Sequence, residues 1–222
     1  MPTARPRLAA PLVLPDPFRA AVFDMDGLLL DTEPLWHDAD RTLLAAHGHT
    51  FTEADVHASH GKALSDLALL HAPRLGLAPE AIELEIAGMM EAHYVAGAPL
   101  RPGARELVEA LRGRIPMAVA SNTSSALVRA ALDASGLGFL TVVASGEDLG
   151  RPKPLPDVYL AACTALGVDP GDAIAFEDSP LGVRAAHDAG LAVVGVPEHG
   201  TDLLAAGADV VLASLTEVAI EA

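Results

Sequence analysis

The apolar run Ala20-Ala21-Val22-Phe23 ends abruptly in Asp24-Met25-Asp26-Gly27. A run without polar alternation reads as a strand buried on both faces. Such a strand carries two carboxylates, one residue apart, to its carboxyl end. Like charges held that close are costly unless a cation or a shared proton compensates, and proteins accept that cost chiefly at active sites. Gly27 permits the sharp turn that must follow. The chain is thus constrained to a buried sheet with a site at its strand ends, and the remaining residues have to supply the compensating charge.

The segments after this loop differ in character. Residues 35–47, a stretch opening at Thr52-Glu53-Ala54-Asp55, residues 63–73 and residues 79–95 read as helices, and no strand signal falls between 34 and 97. From Arg101-Pro102-Gly103 onward, strands alternate with helices of about ten residues. The strands are Pro116–Ala120, Thr141–Ala144, Ala173–Phe176, Ala192–Val196 and Asp209–Leu212. That alternation predicts βαβ units and an α/β fold, a Rossmann-like parallel sheet covered on both faces. The expected organisation is a loosely ordered tail over 1–18, a core built from 19–33 and 98–222, and an all-helical cap inserted at 34–97.

Composition narrows the function. With 30 acidic and 14 basic residues in 222, the net charge is -16, which disfavours nucleic acid and anionic membrane as partners. No apolar run approaches the about 18 residues that span a bilayer. The single Cys163 excludes an intramolecular disulfide and fits a reducing, cytoplasmic setting.

In open parallel sheets, ligands bind beyond the carboxyl ends of the strands. Three predicted strands end there in polar groups: Asp24/Asp26, Ser121/Asn122 and Glu177/Asp178. Each has a plainer reading taken alone. Asp-x-Asp occurs in solvated turns and calcium loops. Ser121-Asn122-Thr123 and Asp178-Ser179 suit helix caps. Lys153 suits an exposed loop, although Pro152 and Pro154 restrict the backbone on both sides and so aim its side chain. Together these loops hold complementary parts: a carboxylate nucleophile, a second carboxylate, a neutral phosphate grip at a helix N-terminus, a cation, and hard oxygen ligands suited to Mg²⁺.

Four segments in order resemble the motifs of the haloacid dehalogenase superfamily. They are Asp24-Met25-Asp26-Gly27, Ser121-Asn122, Lys153 with Pro154-x-Pro156-Asp157-x-Tyr159, and Glu177-Asp178-Ser179-Pro180-x-Gly182. The helical insertion resembles the family's C1 cap. Asp31-Thr32-Glu33-Pro34-Leu35-Trp36 resembles the branch that holds β-phosphoglucomutase and sugar-phosphate phosphatases. The resemblance implies a Mg²⁺-dependent phosphatase of small phosphorylated metabolites, sugar phosphates foremost. Asp24 would attack phosphorus and form an aspartyl-phosphate, and Asp26 would serve as acid and base. Asp24, the carbonyl of Asp26, Asp178 and, directly or through water, Glu177 would hold the metal. Ser121 and Asn122 would hold phosphoryl oxygens, and Lys153 would offset charge.

Other readings fit less well. A haloacid dehalogenase needs no magnesium, so Asp26 and Asp178 would be idle. A β-phosphoglucomutase resembles the chain around Gly61, but Ala58 stands where its arginine is expected and Trp36 where its histidine is expected, with His37 one position late. A response-regulator receiver is about half this length and has no cap. A catalytically idle phosphometabolite-binding protein would not need every motif residue. The cap should choose the substrate, and His57, His60, Lys62 and Asp66 around Gly61 are its candidate contacts. Cap movement is expected to hinge at Glu33-Pro34 and Gly97-Ala98-Pro99, in a protein that is a monomer.

Overall fold

A computed structural model of the chain describes residues 12–14, 17–59, 62, 64–197 and 201–221. The strands, in chain order, are β1 (Val13–Leu14), β2 (Ala20–Phe23), β3 (Met117–Ser121), β4 (Val142–Ser145), β5 (Ala173–Glu177), β6 (Ala192–Gly195), β7 (Val210–Val211) and β8 (Ala219–Ile220). The helices are α1 (Glu33–Ala46), α2 (Glu53–Ser59), α3 (Leu64–Leu75), α4 (Pro79–Ala96), α5 (Ala104–Leu111), α6 (Ser125–Ala134), α7 (Gly146–Leu149), α8 (Asp157–Leu166), α9 (Pro180–Ala189) and α10 (Leu203–Ala206).

Six strands form one parallel sheet in the order β4-β3-β2-β5-β6-β7. The carboxylate-bearing strand β2 lies between β3 and β5, so its end is flanked by the ends of the Ser121 and Glu177 strands. Alternate residues of β2 serve opposite faces, as the two-residue period of a strand requires. Ala21 and Phe23 join a core with α5 and α6, where Phe23 stacks on Phe176 at 5.1 Å between ring centroids. Ala20 and Val22 join an alanine-rich layer with α8 and α9, where small residues let the helices pack close to the sheet.

The helices α1 to α4 form the block between β2 and α5. The two chain segments that join it to the sheet run side by side. Asp31 N–H donates to Pro99 carbonyl at 2.8 Å, and Arg101 N–H donates to Leu29 carbonyl at 3.0 Å. The expected hinges Glu33-Pro34 and Gly97-Ala98-Pro99 lie at or beside the cap end of this paired stem. Pro73 is accommodated inside α3.

One expectation is corrected in part. Of the loose tail expected over 1–18, residues 1–11, 15 and 16 lie outside the described residues, while Leu12, Leu14 and Phe18 are buried and β1 pairs in parallel with β8. The partner strand lies about two hundred residues away in the chain, and burying the alternate apolar residues of β1 requires it. The last strand of the main sheet matches the expected Asp209–Leu212 in its hydrogen bonds: Val210 and Val211 pair with β6, and Asp209 and Leu212 N–H donate to the Val193 and Gly195 carbonyls at 2.8 and 2.9 Å.

Candidate active site

Asp24 is the first residue beyond β2. Its N–H still donates to Phe176 carbonyl at 3.0 Å, which fixes the direction in which its side chain leaves the sheet. Gly27 takes φ 82°, a left-handed conformation that side-chain-bearing residues avoid. The turn closes as Leu29 and Leu30 donate to Met25 carbonyl at 3.0 Å. Met25 and Leu28 to Leu30 are buried, so apolar packing anchors the loop while Asp24 and Asp26 line the cavity above the sheet.

The compensating cation is Lys153, 6% exposed in a loop whose Lys153–Pro154 peptide is cis. Its Nζ lies 2.5 Å from both Asp24 Oδ1 and Glu177 Oε1. Burial alone would lower the lysine's pKa, but Asp24 and Glu177 together raise it above the ordinary range. Burial pushes the Asp24 carboxyl up to about 8, with Lys153 opposing and Glu177 and Asp26 adding to the rise. The strand end is therefore acid-rich, and one lysine does not neutralise it.

Asn122 holds this lysine in place. Its Oδ1 accepts from Lys153 N–H at 2.7 Å and its Nδ2 donates to Lys153 carbonyl at 3.5 Å. The amide side chain, expected to grip phosphate, is engaged by the lysine loop. The close fit requires Gly146, where an added Cβ would stand 2.8 Å from Asn122 Oδ1.

Glu177 is fully buried at the end of β5. Its Oε1 accepts from Lys153 Nζ and from Tyr159 hydroxyl at 2.5 Å, and its Oε2 accepts from Ser179 Oγ at 3.2 Å and Ser179 N–H at 3.4 Å. Burial and the nearby Glu177 raise the Tyr159 phenol, which stays a donor. Ser179 also caps α9 by accepting from Gly182 N–H at 3.1 Å. The glycine in that motif has a steric cause, since a Cβ at Gly182 would stand 1.9 Å from Glu177 Oε1. Asp24, Glu177 and the half-buried Asp178 each present a carboxylate oxygen within 4.8 Å of the others, a hard-oxygen cluster of the kind divalent cations prefer. With four protein donors on Glu177 and one on Asp24, Asp24 is better placed than Glu177 to serve an ion.

Asp26 is held by four hydroxyls. Its Oδ1 accepts from Tyr94 at 2.7 Å and Thr32 at 2.8 Å, and its Oδ2 from Thr123 at 3.2 Å and Ser121 at 3.3 Å. Ser121 and Thr123 thus aim a carboxylate where helix capping was the plainer expectation; the N-cap of α6 is Ser124. Tyr94 reaches Asp26 from α4, across the junction between cap and sheet. Burial and the charge of Asp26 raise its phenol, so it too remains protonated. Sequence reasoning did not single out Tyr94, Thr32 or Tyr159 for these roles. One signal was available: the chain has only two tyrosines, and both hydroxyls bind site carboxylates.

The cap residues divide. Lys62, Trp36 and His37 line the cavity that holds Asp24, Asp26 and Lys153. His57 is exposed and borders a separate depression with Pro34 and Arg41. Asp66 is exposed on α3 and outside the cavity lining. His60 and Gly61 lie outside the described residues.

A parallel sheet with a helical insertion after its first central strand thus carries, at its strand ends, a buried Asp-Lys-Glu triad beside a second aspartate. Residues 18–190 match the model of the haloacid dehalogenase-like hydrolases. The chain belongs to that family. It is 33% identical to validoxylamine A 7'-phosphate phosphatase of Streptomyces hygroscopicus subsp. limoneus, over 90% of this chain and 96% of that protein. It is 30% identical to fructose-1-phosphate phosphatase YqaB of Escherichia coli, over 81% of this chain and 96% of that protein. Among solved structures it resembles CbbY from Rhodobacter sphaeroides in complex with xylulose-(1,5)bisphosphate, with TM-score 0.80, 29% identity, and coverage of 91% of this chain and 97% of that one. Among the described residues no helix is long and apolar enough to cross a membrane.

Proposed function

We propose that this protein is a phosphatase of small phosphorylated metabolites, sugar phosphates in particular, working with Mg²⁺ through an aspartyl-phosphate. The observation that carries the reading is one cavity holding Asp24 against Lys153 at 2.5 Å, Asp178 beside them, and Asp26 fixed by four hydroxyls. Asp24 forms the bond to phosphorus as the ester oxygen leaves. Asp26 gives that oxygen a proton and later takes one from the attacking water. Lys153 offsets negative charge on Asp24 and the phosphoryl oxygens, and Glu177 positions Lys153. Asp24, Asp178 and the Asp26 carbonyl would hold the ion. A bound Mg²⁺ supplies neutralisation of the repulsion between carboxylate and phosphate. The relatives named above, whose names give validoxylamine A 7'-phosphate and fructose 1-phosphate as their esters, support a sugar-like phosphate ester.

The test is a phosphate-release screen over about a hundred phosphorylated metabolites, with Mg²⁺ or with chelator, on the native protein and the Asp24→Asn variant. Turnover lost with chelator and with the variant supports the proposal. Conversion of β-glucose 1-phosphate to glucose 6-phosphate without free phosphate would replace it with a mutase. An absence of turnover on every ester would leave a binding protein.

A further inference from the structure

The wall of the cavity opposite the catalytic loops contains one polar group that the fold leaves incomplete. Asp40, on α1, lines the cavity, yet the residue is 1% exposed. Its Oδ1 accepts from Nε2 of His71 on α3 at 3.2 Å, and that histidine is itself 1% exposed. Its Oδ2 is the one buried side-chain oxygen or nitrogen among the described residues with no hydrogen-bond partner. An acceptor left unsatisfied in an apolar setting is costly, and for a charged group the cost exceeds the about 1–3 kcal/mol of a neutral one. Native proteins leave few such groups, and those they leave ask for a cause.

Position supplies the cause. Lys153, Ser121 and Asp24 occupy the sheet end of the cavity, where the phosphoryl group would lie. The cap end, where Asp40 is found with Trp36 and Leu67, is left for the rest of the ester. Because His71 holds Oδ1, the carboxylate has a fixed rotation and a single unpartnered acceptor, which is sealed here, so a hydroxyl reaches it only by parting the side chains that cover it.

We propose that Asp40 is a specificity determinant that accepts a hydrogen bond from a hydroxyl of the leaving group, so that the site selects polyhydroxylated monophosphates. This rests on the phosphatase reading. A carboxylate in this position also repels a second phosphate, so bisphosphorylated esters and mutase-type intermediates fit poorly.

The test compares native protein and Asp40→Asn, with Mg²⁺, on p-nitrophenyl phosphate and on hexose and hexitol monophosphates together with their single-deoxy analogues. The amide keeps the shape of the side chain, and the aryl ester has no hydroxyl to offer. Asp40→Asn should cost about 10- to 100-fold in kcat/KM on the best polyol ester, mostly through KM, and stay within about twofold of native on the aryl ester. For one hydroxyl, its deletion should cost the native protein a similar factor and Asp40→Asn almost nothing more. Equal losses on both ester types would show that Asp40 serves cap packing, and no loss on the polyol ester would show that it touches nothing there; either overturns the proposal. If the variant does not fold, the native deoxy series decides: no single deletion costing tenfold overturns it. If native protein hydrolyses no ester, the phosphatase reading itself falls, a result distinct from the others.

Discussion

Glu177 and Asp40 are both sealed from solvent, one on the sheet side of the cavity and one on the cap side, and their surroundings differ. Glu177 accepts from Lys153, from Tyr159 and twice from Ser179. Asp40 accepts from His71 alone. The sheet side is completed by the protein's own groups before any ligand arrives, as preorganised electrostatic catalysis requires. The cap side is left one donor short. Chemistry common to a family can be built once into a rigid strand end, whereas discrimination between esters needs a group satisfied only by the right one.

The largest effect should come from breaking the completed side at its centre. Asp24→Asn removes the proposed nucleophile, and kcat for phosphate release should fall by at least about 10⁴-fold; a loss below tenfold would assign the nucleophile elsewhere. Next, Gly182→Ala places a Cβ where Glu177 Oε1 now lies. Displacing Glu177 shifts Lys153, and a misplacement of about 1 Å in such a site costs roughly 10²-fold in kcat. A crystal structure of the variant with Lys153 unmoved, or full activity, would break the link between Glu177 and the lysine.

Tyr94→Phe removes one of four donors to Asp26 and the hydroxyl that ties α4 to the sheet loop. One hydrogen bond to a charged group corresponds to about a tenfold loss in kcat. Phe should change Tm only slightly, because the ring stays buried. A fall in Tm with kcat intact would make Tyr94 a packing residue instead.

The smallest effect concerns the acid-rich strand end without metal. Asp24's carboxyl is raised from 3.8 to about 8, chiefly by burial. Below 3.8 the folded and unfolded chains both hold the proton. Between that value and about 8 the unfolded chain releases it and the folded chain keeps it, so this group's contribution to stability falls as pH rises. In chelator, Asp24→Asn should therefore gain in Tm over the native protein by a few degrees more at pH 8 than at pH 5. A gap that does not change with pH would show that burial does not hold the proton on Asp24.

Much of the fold was readable because it is written in local patterns. Unbroken apolar runs such as Ala20–Phe23 and Ala173–Phe176 became central strands, and the absence of strand signals between 34 and 97 became α1 to α4. The positions of Asp24, Ser121 and Glu177 followed from strands of one parallel sheet ending on the same edge, and Lys153 reaches them from the loop between α7 and α8. What could not be read depends on which distant side chains meet. The pairing of β1 with β8 joins two-residue segments from opposite ends of the chain. Asn122 and Lys153 looked like independent site residues, yet one holds the backbone of the other. Tyr94 carries no local mark of function on its helix; only the return of α4 over the loop brings its hydroxyl to Asp26.

The sequence by itself determined the parallel sheet, the helical run between β2 and α5, and the three polar strand ends, because hydrophobic periodicity and short-range turn chemistry act within a few residues. Only the tertiary structure decided how each carboxylate is used. Asp24, Asp26, Asp40 and Glu177 are alike as residues. Their roles separate because burial and hydrogen-bond donors are set by elements far apart in the chain, which leave Asp24 against a lysine, surround Asp26 and Glu177 with donors, and give Asp40 one partner and a free oxygen.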